Sequence, residues 1–570
     1  MKNKAKYILL LLLIPLIFSF ELPGTQVVIQ QVSFNSNNIS TWFFNTGIFN
    51  QDLRQTNTPG FQWPKGTGKF ACFTAGLCIG GFINNQLREA MCSYKGELAP
   101  GYVSNSSGTP VAYTDNRFKI YSVKPTDNYI NNLDWLNWGL MVSKGAPFVD
   151  VNHNGIFEPL TDTPGVRGAS QTLFACLTDG FPEEHKIGEG FGGGTPPLFA
   201  EYHITAWCYN NNNSCLQDVQ FIKWEIINKN VHAWDSTQFA IVCDPDLGNA
   251  DDDFIGCDTI RRLSFCYNGD DDDEQGNNTY NYGLHPPAYG IRFLKTARIN
   301  YSQYLGLTSA TYFGSTSCGV SSSACENDPN GETYPAYNMI SGVKKDKTPW
   351  VIPPGGSPDK KTKFIYSGDP ETGQGWNEGI PGTVTGSVCN CGGPDILSGQ
   401  IQTVNIPCDR RFIMSSGSKY LKVNPGDTQI LVAAQLIARG SNNRNSVTKL
   451  KQLSDCVQSF YDSTFLIGVN NISTEIPQQY KLYQNYPNPF NPSTTIKFDI
   501  QANGKRQMTN VKLVIYDVSG KEAETLIDKE LNSGSYSADW NASSFASGVY
   551  FYSLIINGNR FETSKMVLLK

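Results

Sequence analysis

Charge is scarce in this chain: Asp, Glu, Lys and Arg together make up 17% of 570 residues, and there is neither a Lys/Arg-rich run nor a basic helix. Nucleic acid and anionic membrane surfaces are recognised by concentrated positive charge, so both partner classes are excluded. Histidine is rarer still. His153, His185, His203, His232 and His285 lie scattered without metal-ligand spacing, and with no C-x-x-C pair present this argues against zinc. No G-x-S-x-G, H-E-x-x-H or Walker loop occurs, and no Cys/His pair stands out, so the chemistries with a local signature have no support. Beyond the first twenty residues no apolar stretch could cross a bilayer as a helix, and no integral membrane protein is expected.

What is present describes an exported, turn-rich β protein. Apolar residues make up 40% and aromatics 12%, with 53 Gly and 31 Pro, a composition that can bury real cores. A chain this long suggests about three to four units. Residues 1–20, MKNKAKYILLLLLIPLIFSF, set three lysines before an apolar run, the layout of a secretory signal peptide. An uncleaved N-terminal anchor is the alternative, since no clear A-x-A cleavage site follows. Fifteen cysteines, none in that segment, fit an oxidising compartment. Short spacings allow Cys208 with Cys215, Cys257 with Cys266, and Cys318 with Cys325. A one-residue ring between Cys389 and Cys391 would strain a bridge, so each of these is expected to pair elsewhere. The odd count leaves one thiol free or shared between chains.

Residues 21–465 read as a β-rich main body, an antiparallel β-sandwich in class. An entry strand and loop come first, then hairpins in FACFTAGLCIGGFINNQ and REAMCSYKGELAPG. The clearest strands are EYHITAWCY, DVQFIKWEIINK and STQFAIVC. In the second of these Ile222, Trp224 and Ile226 share the expected core face, opposite Val219, Phe221, Lys223 and Glu225. Residues 300–400, rich in Ser, Gly, Pro, Asp and Cys, are expected to form a disulfide-stiffened loop insertion. TQILVAAQLIARG is a buried strand. After it, SVTKLKQLSDCVQSFYD places Val447, Leu450, Leu453, Val457 and Phe460 on one helical face behind Ser446 as the expected N-cap.

A linker over 466–479 precedes a second module, in which YKLYQNYPNPFNPSTTIKFDI, VKLVIYDVSGK, GSYSADWNA, GVYFYSLIING and ETSKMVLLK follow one another. Turn signals every 8 to 12 residues describe a small immunoglobulin-like β-sandwich. YQNYPNPFNPST, VIYDVSGK, ASGVYFYSL and KMVLLK in this order resemble the type A C-terminal sorting domain of the type IX secretion system of Bacteroidetes-type bacteria, over residues 480–570. That resemblance implies the type IX machinery as partner, passage across the outer membrane, and attachment to the cell surface or release. The body, through stretches such as GAPFVDVNHNGIFEPLTDTPG, DPDLGNADDDFIGCD and ARGSNNRNSVTKLKQLSD, resembles a family of large uncharacterised exported proteins with the same sorting domain. It implies no activity.

Two acidic stretches carry the functional expectation. Residues 150–158, DVNHNGIFE, follow the first nine positions of an EF-hand-type loop. Calcium takes six to eight oxygens, and alternate loop positions offer Asp150, Asn152, Asn154, the Ile156 carbonyl and Glu158. Position twelve is Thr161, so Asp162 is the candidate last ligand, and an Asx-rich turn that binds nothing is the alternative. DPDLGNADDDFIGCD holds six aspartates in fifteen positions, and residues 244–274 hold eleven acids against Arg261 and Arg262. Carboxylates this dense repel unless counter-charged, and calcium would supply the charge. Asp244, Asp246, Asp251, Asp253 and Asp258 are the expected ligands, with Asp252 facing solvent. A solvated acidic loop is the rival, above all for residues 270–274. Glycoside hydrolysis needs two carboxylates in unlike environments. Massed aspartates fit that poorly, and Trp207, Trp224 and Trp234, which could stack sugars, sit in strands as core residues do. The expectation is therefore a secreted or cell-surface structural, adhesive or ligand-binding protein with calcium-stabilised loops, its extracellular ligand possibilities including surface polysaccharide. A secreted polysaccharide-degrading enzyme and a self-assembling fibre or layer subunit are the alternatives.

Overall fold

A computed structural model describes residues 28–54, 58–104, 108–111, 117–152, 154, 156–210, 215–273, 280–300, 303–314, 325–352, 361–378, 407–465, 470–473, 477–501, 509–531, 533–542 and 545–569. The expected signal peptide, and Cys318, Cys389 and Cys391, lie outside the described residues.

The body is built on two large antiparallel sheets. The first runs in order through Gln31–Phe34, Thr41–Phe44, Ile48–Phe49, Thr74–Ile83, Asp235–Asp244, Arg410–Gly417 and Ser309–Gly314, with Gln86–Ala90 also paired to Thr74–Ile83. The second runs through Tyr121–Val123, Gln171–Thr178, Ala200–Cys208, Val219–Asn228, Thr428–Ala438, Ala288–Lys295, Leu263–Asn268 and Asp253–Asp258. Their inner faces share one core: Phe49, Leu77, Phe239, Ile241 and Met414 from the first meet Ile204, Ile222, Trp224, Leu431 and Ile291 from the second. The alternation of strand side chains places Ile222, Trp224 and Ile226 inside, as the pattern predicts. In the first sheet, Thr74–Ile83 turns into Gln86–Ala90 through Asn84 and Asn85, at φ 51° and 63°. Asparagine tolerates this left-handed conformation, which a two-residue hairpin with the right twist requires.

Both sheets are also covered outside. The helix Asn443–Thr464 lays Val447, Leu450 and Val457, all fully buried, against Phe221, Phe265, Val432 and Ala434 of the second sheet. Its N-cap is Asn442, whose side chain accepts the Asn445 N–H at 2.8 Å, not the expected Ser446. Ser446 sits one turn inside, where its hydroxyl receives the Gly440 N–H and donates to the Pro286 carbonyl. Asparagine and serine are about equally good N-caps, so residue type alone does not choose between them. A second helix, Thr333–Ile340, covers the outside of the first sheet against Cys78, Ala240, Val242 and Ile413. That helix and the strand Ser309–Gly314, buried along its whole length, lie inside the stretch expected to be loops. Short apolar runs separated by Gly and Ser concealed them.

One disulfide spans a long stretch of the chain. Cys215 is bonded to Cys456, 241 residues on, tying the loop before Val219–Asn228 to the long helix. Cys325 and Cys408 are also disulfide-bonded. The short-range pairings of Cys208 with Cys215 and of Cys257 with Cys266 are overturned, because Cys208, Cys257 and Cys266 are free and buried. Cys257 and Cys266 belong to neighbouring strands but stand opposite Ser264 and Ile255, out of register with each other.

The C-terminal module is a separate sandwich with its own core. Its sheets are Asn470–Ser473, Gly534–Asn541, Ser493–Ile500 and Lys481–Leu482, and Glu522–Leu531, Thr509–Tyr516, Gly548–Ile556 and Asn559–Leu568. Ile496, Phe498, Leu513, Trp540, Tyr552 and Met566 meet between them. The Asn- and Pro-rich stretch opening the module is anchored: the Asn485 N–H donates to the Tyr552 hydroxyl at 2.8 Å, and buried Phe490 packs against Trp540. Residues 470–473 of the expected linker form an edge strand of this sandwich.

Candidate cation sites

The loop of residues 150–162 is closed at its base by a two-residue ladder, Phe148 opposite Pro164 and Val149 opposite Thr163. Above it the polar side chains hydrogen-bond to one another at the surface. Asp150 and Asn152 both accept the Asn154 N–H at 3.2 Å, and Asn154 accepts the Ile156 N–H at 2.7 Å. Glu158 Oε2 receives the side-chain amides of Asn152 at 2.5 Å and Asn154 at 3.0 Å. Asp162, 2% exposed, takes the N–H groups of Val151 and Glu158 on its two oxygens and staples the loop shut. The structure therefore brings Asp150, Asn152, Asn154, Glu158 and Asp162 together. Ile156 has an exposed side chain, and His153 and Gly155 lie outside the described residues.

The second acidic stretch does not form one site. Asp244 ends a central strand of the first sheet, and the neighbouring strand Arg410–Gly417 brings Asp409 and Arg411 beside it. Carboxylate oxygens of Asp244, Asp246 and Asp409 lie within 4.8 Å of one another. Tyr94 donates to Asp244 at 2.9 Å, and the Arg411 guanidinium stands 3.0 Å from Asp244 and 3.0 Å from Asp409. Burial, then the charges of Asp244 and Asp409, push the Asp246 carboxyl well above the usual carboxylate range. Burial also raises Asp244, against the opposing pull of Arg411.

Asp253, fully buried, occupies another cluster. One oxygen accepts the Leu247 N–H at 3.1 Å, the other has no hydrogen-bond partner among the described residues, and burial followed by the charge of Asp252 raises its carboxyl strongly. Asp252 is not the solvent-facing residue expected. Burial and Asp273 push it up to about 7. Asp273 is buried too, accepting the N–H groups of Asn249 and Tyr282, so only part of residues 270–273 is solvated, and Glu274 lies outside the described residues. Asp251 is exposed on a single helical turn. Asp258 sits at the far end of the strand from Asp253, roughly 17 Å away at the usual rise. There it pairs with Arg261 at 2.8 Å, which also binds Asp455 of the long helix. Asp258 therefore cannot share an ion with Asp244. Asp409, 165 positions from Asp244, takes its place, and only the sheet order reveals it.

Two further clusters escaped the sequence. Cys176 stands directly opposite His203 on adjacent strands, and Glu201 lies two residues before it on the same face. Glu201 binds His203 at 2.8 Å and Lys144 at 3.0 Å and also accepts the Val103 N–H. Burial pushes Glu201 up, but those bonds outweigh it and hold it down to about 2. With Lys229 at 3.9 Å, two ammonium groups already face the one carboxylate, and the Cys176 thiol, raised by burial, donates to the Gly101 carbonyl.

The other cluster is acidic and interior. Glu89, Glu97, Asp179 and His185 are buried, with His185 Nδ1 3.5 Å from Glu97 and its Nε2 donating to the Asp179 carbonyl at 2.7 Å. Burial lifts Glu97 from 4.5 to about 8 and Asp179 from 3.8 to about 7. The folded state therefore binds more protons than the unfolded chain between these limits. Stability from Glu97 and Asp179 is complete below about pH 4 and is lost as pH rises through 7 to 8, while His185, lowered by burial, opposes this as the lesser contribution, one group against two. Glu201 titrates below this window. Chelator-treated protein is expected to melt at progressively lower temperature from pH 5 to pH 8, and Glu97→Gln to flatten the slope. A rising or level profile would refute the assignment.

The tryptophans considered for sugar stacking are interior: Trp207, Trp224 and Trp234 are at most 2% exposed. A cavity between the sheets is lined by Phe43, Ile120, Leu173, Ile204 and Trp224 without a titratable group. Among the described residues no helix is long and apolar enough to cross a membrane.

Residues 484–569 match the family of secretion system C-terminal sorting domains. The chain thus ends in a type IX sorting module, which implies engagement with that secretion machinery and export to the cell surface or beyond. No curated protein matches the chain. Among solved structures it has faint likenesses to a polysaccharide lyase (6% identity, TM-score 0.22, 95% of this chain and 46% of that one) and to dimeric latent PorU from Porphyromonas gingivalis (9%, 0.14, 70% and 31%). A third is to the alkylpurine DNA glycosylase AlkC of Pseudomonas fluorescens (14%, 0.15, 21% and 40%). The chain spans less than half the length of each, and at these scores none bears on fold or activity.

Proposed function

We propose that this is an exported surface or matrix protein with a structural, adhesive or ligand-binding role, whose acidic clusters are closed by calcium. One observation carries the calcium half: three carboxylates, Asp244, Asp246 and Asp409, converge within 4.8 Å where Arg411 offsets one charge. Burying the remaining charge is costly without a cation, and hard oxygen donors suit calcium. The self-bonded loop of Asp150, Asn152, Asn154, Ile156, Glu158 and Asp162 supports a second site of the same chemistry. The export half rests on the sorting module. The buried tryptophans withhold support from a polysaccharide-degrading enzyme.

Metal analysis of protein desalted from a calcium buffer is expected to find one to two calcium ions per chain, on the two-site reading. At a hundredfold excess over Kd each site stabilises by about 2.7 kcal/mol. At about 1 °C per kcal/mol for a body of this size, a chelator should lower the melting temperature by roughly 3 °C per site. Protein free of calcium whose melting is indifferent to chelation would overturn the calcium half and leave the export half standing.

A further inference from the structure

Among the buried free thiols, two touch. The Sγ atoms of Cys72 and Cys243 are 3.6 Å apart, and both residues are fully buried. Cys72 ends the short strand Phe70–Cys72, and Cys243 lies within Asp235–Asp244, in the middle of the first sheet. The backbone between them is pinned, since the Phe73 N–H donates to the Asp244 carbonyl at 2.9 Å. The approach of the two sulfurs is therefore set by main-chain pairing, not by mobile side chains. Other thiols are engaged differently: those of Cys176 and Cys257 donate to the carbonyls of Gly101 and Ile365, at 3.2 and 3.1 Å.

We propose that Cys72 and Cys243 form a disulfide in the exported protein. A bond of about 2.05 Å requires the sulfurs, now 3.6 Å apart, to close by about 1.5 Å. Little is lost in exchange. The Cys72 thiol has one proton for the carbonyls of Asp244 at 3.3 Å and Thr74 at 3.5 Å, and the Asp244 carbonyl already accepts from Phe73. The Asn50 amide donates to the Cys72 sulfur at 3.2 Å, and a disulfide sulfur keeps the lone pair that receives it.

The oxidant is a disulfide, of a small molecule or of an exported thiol oxidase. One cysteine thiolate attacks it, forming a mixed disulfide and releasing one donor thiolate. The second cysteine thiolate then attacks the first cysteine's sulfur and releases the other donor thiolate. The two thiol protons end on the donor, which is reduced by two electrons. Because both sulfurs are fully buried in the finished fold, the exchange precedes closure of the sheets over them. The bond would join residues 171 positions apart and fasten the N-terminal strands to the strand that carries Asp244.

The test uses the full chain folded in a mixture of oxidised and reduced glutathione, denatured with iodoacetamide and no reductant, then digested for mass spectrometry. The expected product is one species joining the Cys72 and Cys243 peptides, lighter than their sum by two hydrogens and lost on reduction. In Cys243→Ala, Cys72 should be recovered alkylated, whereas wild type yields none of it in that form. Recovery of both wild-type peptides in alkylated form, or of either joined to a different cysteine, would overturn the proposal.

Discussion

Arg410→Met is expected to destabilise the body by about 3 to 5 kcal/mol, the usual result of stranding one member of a buried ion pair. Arg410 Nε lies 3.1 Å from Glu378 Oε1, and both side chains are fully buried. Glu378 also accepts the Ile255 N–H at 3.0 Å, so the pair joins the first sheet, the segment after Lys361–Thr362 and the edge strand of the second sheet. The guanidinium lies 5.4 Å from the Tyr312 ring, whose hydroxyl donates to Glu326, itself paired with fully buried Lys344 at 2.9 Å. Removing the cation leaves a carboxylate with no route to water. Arg410→Met/Glu378→Gln removes the stranded charge while keeping an acceptor for Ile255, and should recover at least half of the loss. Denaturant midpoints of the three proteins test this. A cost below about 1 kcal/mol for the single variant would mean the pair is not held out of water.

Cys215→Ala/Cys456→Ala should cost about 2 to 5 kcal/mol, because the bridge closes a loop of 241 residues in the unfolded chain. It also ends beside an aromatic cluster, Trp207, Tyr209, Phe221, Phe460 and Phe465, that holds the last turns of the helix Asn443–Thr464 against the second sheet. Hydrogen exchange should therefore speed up most in that helix, and the denaturation midpoint should fall. An unchanged midpoint with faster exchange in the helix alone would limit the bridge to a local clasp.

The sequence revealed those elements whose order is local. Val219–Asn228 and the helix face of Val447, Leu450 and Val457 were legible because side-chain period and burial agree within a few residues. The C-terminal sandwich was legible because regular turns and a specific motif order coincide. Pairings that depend on which strands become neighbours were hidden. Asp409 reaches Asp244, Cys176 faces His203, and Cys72 meets Cys243 only because the sheets place them so. Charge density located the acidic stretch but not its division, since a strand carries Asp253 and Asp258 to opposite ends and a helix residue, Asp455, shares Arg261 with Asp258.

The calcium account fixes the sign of one substitution. Asp246 is held against Asp244 and Asp409, and its carboxyl is raised by burial and by those charges. With a cation among them, Asp246→Asn removes a ligand and should lower the melting temperature in calcium buffer. In chelator the same change relieves repulsion and should raise it. The decisive measurement is therefore the melting temperature of Asp246→Asn against wild type, with calcium and with chelator: opposite signs are predicted, and stabilisation under both conditions would contradict a cation at this site.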